Sequence, residues 1–211
     1  MKYVMYTYVD SVTGVPVTVS PCANGPAEPS VAGLVFVFAL ESLYPTNTPT
    51  LYGTAPDASD LAIAGVLGEL TKEEFDSAQA AEMATRKALL DAQLVAAIAS
   101  RRYLLETGGL IWNGVFIATD RESQGKIERH RSAARDGLRK DGAVWKCDDP
   151  LTGLPQFRPT SNAEMEELGA LVFNYVQNTY ALEGELMAGV AAGTTTFEMI
   201  EAWSANSSGQ L

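Results

Sequence analysis

The sequence predicts an α+β protein with a small β-rich N-terminal domain, a long connecting helix, and a C-terminal domain of hairpins plus amphipathic helices. Three observations carry this. Val, Tyr, Thr and Phe crowd the first part of the chain; residues 72–106 contain neither Gly nor Pro; beyond them turn signals alternate with runs of helical period. The expected boundaries are 1–70 for the β-rich domain, 71–106 for the helix and 107–203 for the C-terminal domain, with 204–211 a tail of disordered composition. A chain of 211 residues that is 46% hydrophobic can bury a core of its own.

The elements follow in order. Tyr3 to Val9 and Val15 to Val19 flank the turn residues Asp10 to Gly14 and read as a hairpin, with Pro16 putting the second strand at an edge. Ser20 to Ser30 is a Pro- and Gly-rich loop. Val31 to Leu40 is a continuous apolar run suited to a strand buried on both faces. Tyr44 to Pro56, with three prolines, is expected to run over the surface.

Thr71 with Glu74 forms a capping box, and Leu70 with Phe75 a hydrophobic staple, opening a helix to Glu106. At ~1.5 Å per residue this is a rod of roughly 50 Å. Met83, Leu90, Leu94, Ala97 or Ile98, and Leu105 make its apolar stripe, part of which is expected to meet its own domain and part a partner or a second copy. Gly108 and Gly109 stop it. Asn113-Gly114 between Leu110–Trp112 and Val115–Ala118 predicts a type I′ hairpin.

Thr119 with Glu122 reads as a second capping box, for a helix reaching toward Gly142. Val144 to Cys147 and Leu154 to Arg158 form another hairpin. Ser161 with Glu164 caps a helix of about 30 residues that ends at Gly193, and Thr195 with Glu198 caps a short last helix through Trp203.

The net charge of −11 argues against nucleic-acid binding. One stretch, Arg121 to Lys140, is locally basic; it reads as a solvated helix face or a patch for an acidic protein, and secondarily as a weak nucleic-acid or anion contact. The N-terminus MKYVMYTYVDS lacks the apolar core of a secretory signal, and no run is long enough to span a membrane, so the expectation is a soluble protein made in a cytoplasm. Cys22 and Cys147 have no metal-site spacing. A disulfide between them stays open, while a cytoplasmic origin favours free thiols.

No catalytic residue, cofactor or metal is expected. His130, the single histidine, lies in the basic run beside positive charge that opposes its protonation, and no nucleophile motif accompanies it. The acids Glu73, Glu74, Glu122, Glu164 and Glu166 cluster at predicted helix N-termini, where the helix dipole explains them. The reading is a binding protein, not an enzyme.

With these residues in view, the C-terminal half resembles a domain family of unknown function found in bacteriophage tail-fibre and tail-fibre-associated proteins. The resemblance rests on Arg102 with ETGGLIWNGVFIATDRESQ (Glu106 to Gln124), VWK (Val144 to Lys146), QFRPTSNAEM (Gln156 to Met165) and VFNYVQNTYALEGEL (Val172 to Leu186), and spans roughly residues 101 to 200. The basic run HRSAARDGLRK and the longer turn DDPLTGLP depart from the family pattern. The run LYGTAPDASDLAIAGVLGELTKEEF looks similar to small phage proteins encoded beside tail fibres.

The resemblance implies a phage-tail context and no catalytic residues. A chain without repeats or long β arrays fits a helper better than a fibre shaft. The expectation is a tail-fibre assembly chaperone, acting in the host cytoplasm on a trimeric fibre protein; the alternative is a structural virion component at the baseplate or fibre tip. Its partner surface is expected on the N-terminal domain at Tyr6, Tyr8, Phe36, Phe38, Tyr44 and Tyr52, with the core the competing place for Phe36 and Phe38.

Overall fold

The computed structural model describes residues 1–17, 24–40 and 50–203. The protein is α+β, and divides into two compact units, Met1–Leu89 and Leu90–Leu211. The boundary falls within one helix, α1 (Lys72–Thr107).

In the first unit the strands β1 (Lys2–Tyr6), β4 (Val35–Leu40), β5 (Thr50–Ala55) and β6 (Val66–Leu70) form an antiparallel sheet in the order β4-β5-β1-β6. Two short strands, β2 (Val9–Asp10) and β3 (Pro26–Ala27), pair beside it. Three expectations need correction here. Among the described residues, which leave out Thr18 and Val19, the expected N-terminal hairpin shrinks to a single bridge, Val9 to Pro16, and β1 takes β5 and β6 as partners instead. The surface loop expected up to Pro56 contains β5, a buried strand beside β1; residues 44–49 of it lie outside the described residues. The run Val31 to Leu40, expected to be buried on both faces, forms β4 at the sheet's edge with Val35, Phe36 and Val37 exposed. A continuous apolar run fits a doubly buried strand and an exposed edge alike, since periodicity is lost in both.

β1 and β5 lie so close to their neighbours that Gly53 is required: a Cβ there would come 2.6 Å from the Val35 carbonyl and 3.1 Å from the Tyr6 ring. One side of the sheet packs Val4, Tyr6, Val31, Leu51 and Ala55. The other packs Phe38, Tyr52 and Phe75, the last from the first turn of α1. That turn is capped as expected: the Glu74 carboxylate accepts from the Thr71 backbone N–H at 2.8 Å, and Thr71 Oγ1 accepts from Glu74 N–H at 3.2 Å.

In the second unit β7 (Leu110–Trp112), β8 (Val115–Ile117), β9 (Val144–Asp148) and β10 (Pro155–Pro159) form a sheet in the order β10-β9-β8-β7, packed with α2 (Arg121–Arg135) and α3 (Asn162–Ala192). Asn113 and Gly114, at φ 48° and 78°, make the expected turn between β7 and β8. The core joins Trp112, Val115, Ile117, Ile127, Cys147, Met165, Leu168 and Val172. A second cluster joins Leu94, Ile98 and Leu105 of α1 to Val190 of α3 and to Ile200 and Trp203 around α4 (Phe197–Ala202), so this part of the expected stripe is satisfied internally; Leu90 stays exposed.

Two expected caps are each displaced by one residue. Asp120, not Thr119, caps α2, its carboxylate accepting from the N–H groups of Glu122 and Ser123 at 3.0 Å. Thr119 is fully buried; its hydroxyl donates to Glu106 O at 2.6 Å and accepts from Gly109 N–H at 2.9 Å, tying the end of α1 to the start of α2. Likewise Thr196, not Thr195, caps α4, and the buried Thr195 hydroxyl donates to Leu186 O at 2.8 Å. The Ser161–Glu164 box on α3 forms as expected.

α2 also ends earlier than the basic run suggested. Gly137, at φ 70°, turns the chain after Arg135, and the N–H groups of Leu138 and Arg139 both reach Ala133 O. Arg139 is consequently buried, not part of a solvated basic face. Its guanidinium donates to Thr160 O, Asn162 Oδ1 and Ala143 O at 2.8–2.9 Å, pinning β9 to the start of α3.

Candidate functional site

Of the six aromatic residues expected to meet a partner, the structure commits three to the core of the first unit. Tyr6 has no exposed surface, and its hydroxyl donates to Glu28 Oε1 at 3.2 Å; burial first, and then the Glu28 charge, push its phenol pKa above the ordinary value. Phe38 and Tyr52 stack at 4.5 Å with planes 3° apart, and both meet the Phe75 ring edge-on. Burial raises the Tyr52 pKa as well. Tyr8 is half-buried against the Val4 cluster, and Tyr44 lies outside the described residues. Core packing thus claims Phe38, as the competing reading had it, but not Phe36.

Phe36 is 49% exposed and has company: Val35 at 59% and Val37 at 38% on the same edge strand. Three consecutive exposed apolar residues contradict the alternation of a regular strand, and a bulge explains them. Phe36 faces Gly53 and Phe38 faces Tyr52, which leaves Val37 as an extra residue in the ladder. The bulge breaks the inward–outward alternation here, and all three side chains are left exposed. Val35 and Val37 escaped sequence reasoning because the bulge is invisible in an apolar run.

The edge itself is chemically bare. Leu34 to Leu40 carries no charge, whereas natural edge strands are commonly guarded by Lys, Pro or inward-facing charge. Its C-terminal end has one guard: Arg86 of α1 donates from Nη2 to Ala39 O at 3.4 Å. Among the described residues the patch is therefore an apolar strand edge whose main chain along Val35–Val37 has no further strand beside it, backed by an aromatic cluster. It offers shape and hydrogen bonds, not acid–base chemistry. Among the described residues no group of His, Cys, Asp and Glu is arranged to hold a metal ion. No helix among them is long and apolar enough to cross a membrane.

His130, for which no catalytic role is expected, sits exposed on α2 with its ring edge-on to Trp145 at 5.1 Å. Burial, followed by the charges of Arg139 and Arg129, holds its pKa below the ordinary histidine value. Cys147 is a buried free thiol whose pKa burial raises, which makes it inert; Cys22 lies outside the described residues.

No curated protein and no solved structure matches the chain. Residues 89–204, over half of it, match the model of the family described as a domain of unknown function (DUF4376), and the chain belongs to that family.

Proposed function

We propose that the protein is a phage tail-fibre assembly chaperone that holds an unpaired strand edge of the fibre protein against its own strand β4. The observation that carries this reading is the uncharged, half-exposed edge Val35–Phe36–Val37 on β4, an edge strand of the first sheet. Addition of a strand to such an edge satisfies main-chain groups on both partners and buries apolar side chains. Trimeric β-rich fibres expose edges of that kind until they assemble. The phage context is supported by the resemblance carried by residues 106–124 and the blocks after them. Self-association through α1, where Leu90 remains exposed, is a companion proposal.

The test is co-expression with the fibre protein encoded beside it. The wild-type chain is expected to co-purify with the fibre, and the Phe36→Lys variant to lose it while folding normally. Counting the chain in purified particles provides the second arm: near-absence fits a chaperone, and stoichiometric presence replaces it with a virion component.

A further inference from the structure

The second unit holds a strand edge of a different chemical kind. β9 pairs with β10 along its whole length, Val144 to Asp148, but with β8 only through Phe116 and Asp148. Just outside the β9–β10 ladder, Thr160 N–H donates to Ala143 O at 3.1 Å and Asp149 N–H to Leu154 O at 2.9 Å. Partners in an antiparallel ladder alternate. Trp145 and Cys147 therefore turn their main-chain groups toward β10, and Val144, Lys146 and Asp148 turn theirs away from it. Pro155 and Pro159, which have no N–H to give, stand opposite Asp148 and Val144 in agreement with this.

Had β8 run on, Ala118 would have met Lys146 and Asp120 would have met Val144. It does not run on, because Thr119 is drawn to Glu106 O and Gly109 N–H and Asp120 opens α2. The vacated strand position is a cleft of about 440 Å³ between β9 and α2. Lys126, His130 and Ser123 line its α2 side, and Lys146 and Asp148 its β9 side. Lys146 is exposed and enters no ion pair among the described residues. Among the described residues Lys126 pairs only with the exposed Glu122, one turn back. In a chain of net charge −11 the two lysines, against the one acid of the lining, Asp148, leave this cleft with a positive excess beside open main chain.

We infer that this cleft is a docking site for an acidic extended peptide of a partner protein, which adds as a short strand along Val144–Lys146. The two residues offer two N–H and two C=O groups to such a strand, and at ~3.3 Å rise per residue an added segment of three or four residues fills the position β8 leaves. Acids alternating along such a strand share one face, and pair with Lys146 or, in the register shifted by one residue, with Lys126, as cross-strand neighbours of opposite charge do. This site stands apart from the apolar β4 edge and does not rest on the chaperone reading.

The experiment uses the ¹⁵N-labelled full chain and the blocked peptide VEVEVEV. Saturable shifts of the Val144 and Lys146 amides are expected, with affinity falling about tenfold in the Lys126→Glu, Lys146→Glu double variant. A VKVKVKV peptide, and a VEVEVEV analogue with proline at two alternate positions, are expected not to bind. Equal binding by the lysine or proline peptide overturns the inference. So does equal binding by glutarate, which would make this a small-anion site, and so does the absence of shifts at millimolar VEVEVEV.

Discussion

Thr119 shows how much one hydroxyl can hold. It is fully buried, bonds to one carbonyl and one N–H on the segment that ends α1, and its own carbonyl accepts from Gln124 Nε2 at 2.6 Å. Replacement by valine keeps the shape and strands the buried Glu106 carbonyl and the half-buried Gly109 N–H. Thr119→Val is expected to cost about 1–3 kcal/mol in denaturant unfolding. An unchanged midpoint would mean that water takes over both groups. Carboxylates act at this scale too. Asp120 is held below its usual pKa by the Ser123 hydroxyl and by N–H groups of its cap, Glu164 by the Ser161 N–H and hydroxyl, and Asp149 by the Thr152 and Leu151 N–H groups. Each titrates lower in the folded chain than in the unfolded one. The stability they lend is whole above the ordinary carboxylate range and is lost as pH falls through the lower folded values. Calorimetry is expected to show melting temperature falling steeply below about pH 4, and less steeply in an Asp120→Asn, Asp149→Asn variant.

At the scale of elements, helices were legible and sheet partners were not. Capping boxes at Thr71 and Ser161, the Gly193 stop and the Asn113-Gly114 turn are local chemistry, decided within four residues, and all formed where expected. Thr119 and Thr195 misled because a threonine followed three residues on by an acid fits a cap and a buried anchor equally; only tertiary contact decides. The pairing of β1 with β5, across 45 to 53 residues, left no local signal. For the same reason the candidate site was legible only in Phe36: the bulge that exposes Val35 and Val37 belongs to the ladder with β5. Gly109 gives a test at this scale. Its φ is 83°, and a Cβ would lie 2.2 Å from the Phe116 ring, so Gly109→Ala is expected to cost about 2 kcal/mol or more in denaturant unfolding. Little change would show that the turn between α1 and β7 repacks freely.

At the scale of the whole molecule, two units with separate cores serve one acidic chain. The family match begins where the second unit begins, and the apolar β4 edge lies in the first. The unit that carries the family thus differs from the unit that carries the proposed fibre contact. Phe36→Lys removes apolar surface from the edge without touching the core, so its effect on stability should stay within about 0.5 kcal/mol. Its effect on function should not be small. The decisive measurement is the yield of soluble fibre trimer when the fibre protein is expressed alone, with the wild-type chain, or with a Val35→Lys, Phe36→Lys variant. Trimer is expected with the wild type and aggregated fibre in the other two cases; equal trimer in all three, or in both wild type and variant, would contradict a chaperone role for the β4 edge.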